Sequence, residues 1–430
     1  MRFLVTVFFV FCAVQAQALN IQQVSSPKLG VQALLVESQS IPMVNIQVAF
    51  RAGSAFDPQG KGGLAHLTGA LFDEGAGDLD SKAYTESLER IGALFSVNPG
   101  LLNTTFSMRT LSDKKEEAFK LLGMAISQPR FDKEAFKRMQ DATLSAIKSA
   151  QQNPGSIANL LLRENLYINH PYGQPTNGIQ TVVENLSVLD VQNFYKANFT
   201  RRNMVVSVVG DITKAELENY LDLLFENLPQ GQGRQQVAQA PEAITPVIIR
   251  ETRAVPQSTV YLAHLGINRE DKDYYAAYAM NYILGGGGFN SRLMEEIREK
   301  RGLAYGVSSY FEPLPHKGAF IASVSTKNKD VQTAISLIKK EIARLKKKGV
   351  TDEEYAGAMS FLKGSFPLRL DSSSKVLGYL TTMQMENLGL DYLDKWTKRI
   401  ESVSKEDMQR VAKRLLHENE MITVIVGGEE

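Results

Sequence analysis

The feature that most constrains the fold is an internal repeat of the chain. The segment ENLSVLDVQNFYKANFTRRNMVVSVVGD begins at residue 184 and ESVSKEDMQRVAKRLLHENEMITVIVGGE at residue 401, an offset of 401 − 184 = 217 residues. At this offset the following residues are identical: Ser187 and Ser404, Asp190 and Asp407, Gln192 and Gln409, Met204 and Met421, and Gly210 and Gly427. Apolar positions also match between them. The repeat predicts a tandem duplication, and therefore two halves with one fold.

Each copy has the pattern of a capped helix followed by a strand. A serine suited to a helix N-cap opens each copy, with an aspartate three residues later, where a negative charge is favourable. A short amphipathic segment follows, and then a β-branched run at residues 205–209 or 422–426. Continuous apolar runs of this length are typical of strands buried on both faces.

The segment between the two halves has the composition of a linker. Residues 228–246, LPQGQGRQQVAQAPEAITP, are rich in Gln, Gly, Ala and Pro and have no hydrophobic period. Such a segment is typical of an extended connection between domains. We therefore expect an N-terminal half at residues 19–229, a linker at 230–246 and a C-terminal half at 247–430. A chain of 430 residues is long enough for two cores.

The first 18 residues have the pattern of a signal peptide. Arg2 is followed by an apolar run that is too short for a transmembrane helix, and Ala16-Gln17-Ala18 resembles a signal peptidase site. Cleavage would remove Cys12, the only cysteine, so the mature protein would have no disulfide. We expect a periplasmic or secreted protein, with no membrane association after cleavage; mitochondrial import is the weaker alternative, because the segment lacks repeated arginines.

The remaining pattern indicates an α+β fold. VQALLVES and VNIQVAFRAG are predicted to be neighbouring strands joined by a turn at residues 38–42, and SKAYTESLERIGALF has an apolar stripe at helical spacing. Strands and helices mix without a regular βαβ rhythm, so each half is predicted to pack helices on a mainly antiparallel sheet. A formal net charge of +1 gives no long-range field for nucleic acid or an anionic membrane.

Three stretches resemble the insulinase/pitrilysin metallopeptidase family, in its small two-domain branch of bacterial and mitochondrial-processing-peptidase-like members. They are AFRAGSAFDPQGKGGLAHLTGALFDEGAG around His66, HPYGQPTNG at residues 170–178, and ILGGGGFNSRLMEEIREKRGLAYGVSSYF at residues 283–311. The resemblance covers essentially the whole mature chain in order. It implies two α+β halves that face each other as a clam shell, and pairing with a second such chain.

The zinc motif of that family is degenerate in this chain. In the motif H-x-x-E-H, two imidazoles one helical turn apart bind zinc and the glutamate is the general base. Aligned on it, His66 takes the first histidine position, Gly69 replaces the base and Ala70 the second histidine. Ser145 and Ala146 stand where the resemblance places the third ligand, a glutamate. We therefore expect no metal and no cofactor in this chain, and we expect His66 to be a hydrogen-bonded structural histidine.

The second signature of the family is intact. By resemblance, Arg298 and Tyr305 occupy the positions that hold the substrate main chain and polarise the scissile carbonyl opposite the zinc. Both side chains donate the hydrogen bonds that such an oxygen needs as it gains negative charge. The alternative is that Arg298 pairs with Glu295 or Glu296 on a helix surface and Tyr305 packs within a strand. Arg301 is the weaker candidate for the arginine.

The resemblance also implies two surfaces for substrate. An extended peptide would dock on an edge strand after the zinc helix, formed by Leu94, Phe95, Ser96, Val97 and Asn98. The loop that contains Gly286 and Gly287 would contact peptide that enters the chamber. From the residues alone, the glycine run at 285–288 is a mobile loop or a close-packed turn rather than a phosphate loop, because no Gly-Lys-Ser/Thr follows it.

The leading hypothesis is a non-catalytic subunit of a heteromeric zinc endopeptidase. A homologous partner chain would supply zinc and the base, and this chain would supply Arg298 and Tyr305 to peptide substrates. The alternative, from another class, is a structural or peptide-binding protein, as a homodimer or a scaffold of a complex, with no proteolytic role.

Overall fold

The computed structural model describes residues 19–428, so the predicted signal peptide lies outside the described residues. The strands of the N-terminal half are β1 (Ile21–Ser25), β2 (Gln32–Glu37), β3 (Met43–Phe50), β4 (Gly75–Ala76), β5 (Leu79–Asp80), β6 (Leu94–Pro99), β7 (Thr104–Leu111) and β8 (Met204–Gly210). Its helices are α1 (Leu64–Gly69), α2 (Ser81–Arg90), α3 (Lys115–Ser127), α4 (Lys133–Ala150), α5 (Pro154–Leu166), α6 (Gln180–Val183), α7 (Val188–Asn198) and α8 (Lys214–Phe225).

The C-terminal half has the strands β9 (Ile248–Thr252), β10 (Gln257–Leu265), β11 (Ala304–Glu312), β12 (Ala319–Lys327) and β13 (Ile422–Gly427). Its α-helices are α9 (Tyr274–Asn281), α10 (Val331–Lys348), α11 (Asp352–Ser365), α12 (Ser373–Met385), α13 (Tyr392–Glu401) and α14 (Lys405–Leu415). Two π-helical segments span Tyr282–Gly286 and Met294–Glu299. Short 3₁₀ turns occur at Ser54–Phe56, Ser112–Lys114, Pro171–Gly173, Arg201–Asn203, Gly288–Asn290, Asn328–Asp330 and Pro367–Leu370.

Two equivalent sheets confirm the predicted α+β fold of two homologous halves. The N-terminal sheet has the order β1-β2-β8-β3-β7-β6 and the C-terminal sheet the order β9-β13-β10-β12-β11. Each contains a single parallel pair, β2 with β8 and β9 with β13, and is otherwise antiparallel. The strands correspond one to one, and β1 is an additional edge strand of the first sheet.

The local predictions at the repeat are confirmed. Ser187 and Ser404 each cap a helix, and the aspartate three residues later completes a reciprocal capping box. The β-branched runs form β8 and β13, which are buried along their whole length. Both strands lie inside their sheets, which explains why they are apolar on both faces.

One strand pairing was predicted wrongly. β2 and β3 are consecutive in sequence but not adjacent, because β8 lies between them, parallel to β2 and antiparallel to β3. The helix predicted from the apolar stripe of SKAYTESLERIGALF was also too long, because α2 ends at Arg90 and Gly92 turns the chain at φ +63°. Phe95 is therefore a residue of β6.

The two halves exchange one helix each across their sheets. α5 of the N-terminal half packs on β10 and β13, and α12 of the C-terminal half packs on β8 and β3. The two helices occupy equivalent places in the repeat, because 154 + 217 = 371 and α12 begins at Ser373. Each sheet thus has helices of its own half on one face and a helix of the other half on the opposite face. The halves form one interlocked unit.

Polar contacts fix both exchanged helices. Arg163 of α5 makes an ion pair with Glu312, in which Nη2 donates to both carboxylate oxygens at 2.8 and 3.0 Å. Thr381 of α12 hydrogen-bonds to Gln47 at 2.6 Å and to Ser207 at 3.0 Å. Because these partners lie on strands of the other half, the polar contacts fix the position of each helix on the sheet of the other half.

The linker lies against both halves. His170 of the first half contacts the carbonyl oxygen of Ala238 at 3.0 Å, and His316 of the second half contacts that of Val237 at 3.1 Å. Val237 and Ala240 are buried. The segment predicted as an extended connection therefore packs as part of the junction. Within residues 19–428, no helix is both long and apolar enough to cross a bilayer.

The helix exchange predicts that Leu162→Ala destabilises the protein by about 2–5 kcal/mol, the usual loss for a leucine deleted from a core. Leu162 of α5 is fully buried and belongs to a cluster with Ile321 and Val424 of the other half. The free energy of unfolding in urea measures the loss. The control is Glu164→Ala, at an exposed position of the same helix. Equal effects of the two substitutions would contradict the structural role of α5.

Candidate functional site

The helix that carries His66 begins at a carboxylate cap. Asp57 accepts hydrogen bonds from the backbone N–H groups of Gly63 and Ala65, both at 2.7 Å, and so closes the loop before α1. His66 itself is partly buried, and burial lowers the pKa of its imidazole. No residue between 19 and 428 hydrogen-bonds to this ring, so the expected structural hydrogen bond is absent from the described part of the chain.

The position of the missing general base is closed by packing. A Cβ atom on Gly69 would lie 2.7 Å from Cβ and 2.8 Å from Cγ of Pro99, at the end of β6. Contacts below 3.0 Å force a shift, and the proline ring cannot rotate away. A glutamate side chain therefore cannot be placed at position 69 without a shift, because α1 and the end of β6 pack against each other in the space that it would need.

The positions of the second histidine and of the third ligand, Ala70 and Ala146, also lack side chains that could bind a metal ion. Ala70 follows directly after α1, and Ala146 lies at an exposed position of α4, where the neighbouring Ser145 hydroxyl donates to the carbonyl oxygen of Asp141 at 2.9 Å. Over residues 19–428 the structure has no group of three His, Cys, Asp or Glu side chains placed to hold a metal ion. A catalytic zinc needs three protein ligands, so these residues do not fit the metal.

Arg298 and Tyr305 are brought together at the edge of the C-terminal sheet. Arg298 lies in the π-helical segment Met294–Glu299, and Tyr305 lies in the outer strand β11. The Cζ atom of Arg298 lies 5.0 Å from the centroid of the Tyr305 ring and 4.5 Å from that of Phe289. Tyr305 is 86% exposed and Phe289 65% exposed. The guanidinium is therefore held by two aromatic rings in a cation–π arrangement, beside a hydroxyl that solvent can reach.

The structure does not pair Arg298 with Glu295 or Glu296, the partners expected in the alternative, but with Glu299 of the same helical segment. Glu295 and Glu296 pair with Lys300 at 2.8 and 2.6 Å, and Glu296 also binds Arg301 at 2.7 Å. Nε of Arg298 lies 3.6 Å from the Glu299 carboxylate. Arg301, the weaker candidate, is thus engaged on the helix surface.

The backbone around Tyr305 explains its exposure. β11 is the outer strand of its sheet, and its register with β12 shifts between Ala304 and Val307. Such a β-bulge redirects side chains at a sheet edge. Tyr305 and Gly306 are both exposed as a result, so Tyr305 does not pack as an ordinary strand residue.

The glycine run is a close-packed turn. A Cβ on Gly285 would lie 2.4 Å from the Ser309 hydroxyl oxygen, and one on Gly287 would lie 2.7 Å from the carbonyl oxygen of Tyr282. Gly286 is exposed, but a Cβ there would lie 2.9 Å from Nδ2 of Asn281. The turn carries Phe289 to its position over Arg298. No local signal in the sequence marks Phe289 as a partner of Arg298.

The strand expected to dock peptide is an edge strand. β6 spans residues 94–99 and pairs only with β7 among the described strands. Its side chains alternate between exposed and partly buried, and Leu94 is 59% exposed. An edge strand leaves a row of backbone donors and acceptors unpaired, which is the chemistry that β-augmentation uses. Peptide binding at this edge stays a prediction.

A cleft between the halves was not predicted from the sequence. It has a volume of about 580 Å³ and lies between the apolar side of α5, residues 174–179 and the end of β9. Ile157, Leu160 and Leu161 give it an apolar wall, and Glu251 and Arg253 lie at its rim. It exists because α5 crosses to the other sheet, and a local sequence pattern cannot show that.

Family models match both halves. The model of insulinase (peptidase family M16) matches residues 32–180, and the model described as the peptidase M16 inactive domain matches residues 185–362. A solved structure described as the peptidase M16 inactive domain from Pseudomonas fluorescens is 31% identical, with a TM-score of 0.90 over 96% of this chain and 99% of that chain. This chain belongs to the insulinase family.

Curated relatives agree over nearly the full length. The non-peptidase homolog YmxG of Helicobacter pylori is 26% identical, covering 100% of this chain and 99% of that protein. The uncharacterized zinc protease YmxG of Bacillus subtilis is 23% identical, covering 92% and 96%. The expectation of a degenerate insulinase-family member is confirmed by these matches, and relatives described as a non-peptidase homolog and as a peptidase M16 inactive domain support an inactive one.

Restoring the glutamate and the second histidine of the H-x-x-E-H motif is not expected to restore zinc binding. We expect Gly69→Glu with Ala70→His to bind less than one zinc per chain, because the third ligand is absent, and to lose about 1–3 kcal/mol of stability through overpacking at Pro99. Metal content and urea unfolding of the purified variant measure both effects. Ala70→His alone is the control for the stability change. One tightly held zinc with unchanged stability would contradict the closed site.

The cap of α1 predicts a pH dependence. Burial raises the pKa of the Asp57 carboxyl to about 7, against the opposing hydrogen bonds from Ala65, Gly63 and Leu64. Because the folded-state pKa exceeds the unfolded value, the contribution of this group to stability is full at acidic pH and is lost as the pH rises through about 7. We expect Asp57→Asn to flatten the stability profile between about pH 4 and 7. Urea unfolding across that range tests it, with Asp113→Asn as the exposed control; an unchanged profile contradicts it.

Proposed function

We propose that this protein is the non-catalytic subunit of a heteromeric zinc endopeptidase. A homologous chain with an intact H-x-x-E-H motif supplies the metal and the base. This chain supplies Arg298 and Tyr305 to the peptide carbonyl. The observation that carries the proposal is the pre-formed pair of Arg298 and Tyr305 on an exposed edge, in a chain whose own zinc position is closed by packing.

The chemistry of the pair suits a carbonyl oxygen that gains negative charge. A guanidinium presents several N–H donors in a rigid fork, and the Tyr305 hydroxyl adds one more. Phe289 and the Tyr305 ring hold the cation by its faces, which leaves the N–H groups at its edge for hydrogen bonds. Donors fixed before the reaction stabilise such a charge without reorganisation.

Substrate binding follows from the unpaired edge of β6. A peptide laid along residues 94–98 would gain main-chain hydrogen bonds, and Leu94, Ser96 and Asn98 would meet its side chains. Gly286, exposed beside Phe289, would contact peptide that approaches the pair. Together with the predicted signal peptide, we propose that this peptide binding takes place in the periplasm or outside the cell.

The edge strand and the cleft of about 580 Å³ support a second candidate function. Both could bind peptide with no proteolytic partner, in a homodimer or as part of a larger scaffold. In that case Arg298 and Tyr305 would contribute to affinity only.

The test is co-expression with a homologous chain that carries the complete zinc motif. We expect this chain alone to leave a fluorogenic peptide intact, and the mixed complex to cleave it. Arg298→Ala or Tyr305→Phe in this chain should lower kcat/KM of the complex about 10²-fold or more, the usual loss for one oxyanion donor.

Arg301→Ala is the matched control, because Arg301 is already bound to Glu296 and should leave the rate unchanged. Full activity of the complex with both Arg298 and Tyr305 substituted would reject the role in trans. Peptide binding without any cleavage by the mixture would favour the scaffold function.

A further inference from the structure

A second cavity, separate from the peptide-binding surfaces, lies where the N-terminal half, the linker and the end of α12 meet. Its volume is about 310 Å³, and Arg201, Arg202 and Arg234 line it together with Gln230 and the backbone of Gly30. Among the residues that line it, none is acidic. Three arginine residues therefore line one small space whose wall contains no acidic residue.

These arginines differ from other arginines of the chain. Arg163 and Arg269 are partly buried and Arg292 is buried, and each pairs with a carboxylate, that of Glu312, Glu386 and Glu354 respectively. In contrast, Arg201, Arg202 and Arg234 form no ion pair with any residue from 19 to 428. Partly buried charges are normally paired because desolvation is costly, so Arg201 and Arg234 leave charge to be balanced, and the exposed Arg202 adds a third positive charge beside them.

Two further observations support the binding of an anion by these arginines. Nε of Arg201 is buried and has no hydrogen-bond acceptor in the described part of the structure. Burial lowers the pKa of Arg234, and the positive charge of Arg51 lowers it further. Arg234 and Arg51 each donate to a carbonyl oxygen at the end of α12, at 3.0 and 2.7 Å, which satisfies the helix end but not the charge.

The backbone holds the arginines in place. The N–H groups of Arg201 and Arg202 donate to the carbonyl oxygens of Pro229 and Gln230 at 2.9 and 3.0 Å, which ties their turn to the start of the linker. Arg234 follows four residues later on the same linker. Residues from distant parts of the chain are thus fixed around one cavity, as in a pre-formed binding site.

We propose that this cavity binds a small anion that carries a phosphate group. Phosphate presents several oxygens around one centre, which suits guanidinium groups that arrive from two segments of the chain, and charge-assisted bonds of this kind are strong. A dianion also balances more than one of the three charges. The site is independent of the proposed peptide function, since neither Arg298 nor β6 contributes to it.

Isothermal titration of the mature protein with pyrophosphate and with inorganic phosphate tests the proposal. We expect saturable binding of one anion per chain that persists at physiological salt. Arg202→Gln should weaken it about tenfold or more, since a hydrogen bond to a charged group is worth at least that factor. Arg202 is exposed, so this variant should fold normally. Arg201→Gln should have a similar effect.

Arg90→Gln, at an exposed position at the end of α2, is the control for a general effect of net charge and should leave the affinity unchanged. Absence of saturable binding by either phosphate probe overturns the proposal. So does an affinity that Arg202→Gln and Arg201→Gln leave unchanged, or that Arg90→Gln lowers equally. Binding of citrate without binding of either phosphate probe overturns the assigned class of ligand.

Discussion

The reciprocal packing of α5 and α12 is the constraint on which the rest of the structure depends. A sheet with helices on one face leaves its second face apolar, and in this chain the second face of each sheet is covered by a helix of the other half. Neither half contains all of its own core. The junction, the cleft beside α5 and the arginine-lined cavity at the end of α12 all follow from this exchange, because each lies where an exchanged helix meets the opposite half.

The same close packing explains how a metal site can be lost without loss of the fold. α1 is held by the Asp57 cap at its start and by contact with Pro99 at Gly69, and neither contact needs zinc. Once the helix is held this way, stability no longer depends on the metal ligands. Arg298 and Tyr305 stand on a different element, the bulged edge of β11, and their geometry is set by Phe289 and the close-packed glycines. The helix of the degenerate zinc motif and the Arg298–Tyr305 pair are therefore held by separate sets of contacts.

Sequence reasoning succeeded where the signal is local or repeated. The duplication is a repeated pattern and the capping boxes at Ser187 and Ser404 are local ones, and they indicated two similar halves; the edge strand at residues 94–98 was expected from the family resemblance, because the local pattern there resembled a helix. It failed where the partner is distant in sequence. The insertion of β8 between β2 and β3 joins residues about 160 positions apart, and the exchange of α5 joins residues from different halves. Amphipathic patterns show that a face is buried, but not which element covers it.

The arginines show the same limit for the candidate sites. Arg298 could be found because its spacing to Tyr305 matches a family signature, whereas Phe289 contributes only through a turn whose shape the glycines impose. Arg201, Arg202 and Arg234 look like ordinary surface residues in the sequence, because their charge is unbalanced only after the linker folds back on the turn at Arg201–Asn203. Whether a charge is paired is a property of the tertiary structure. A search for functional sites in a duplicated fold of this kind therefore has to begin at the junction of the halves, where groups that are remote in sequence meet.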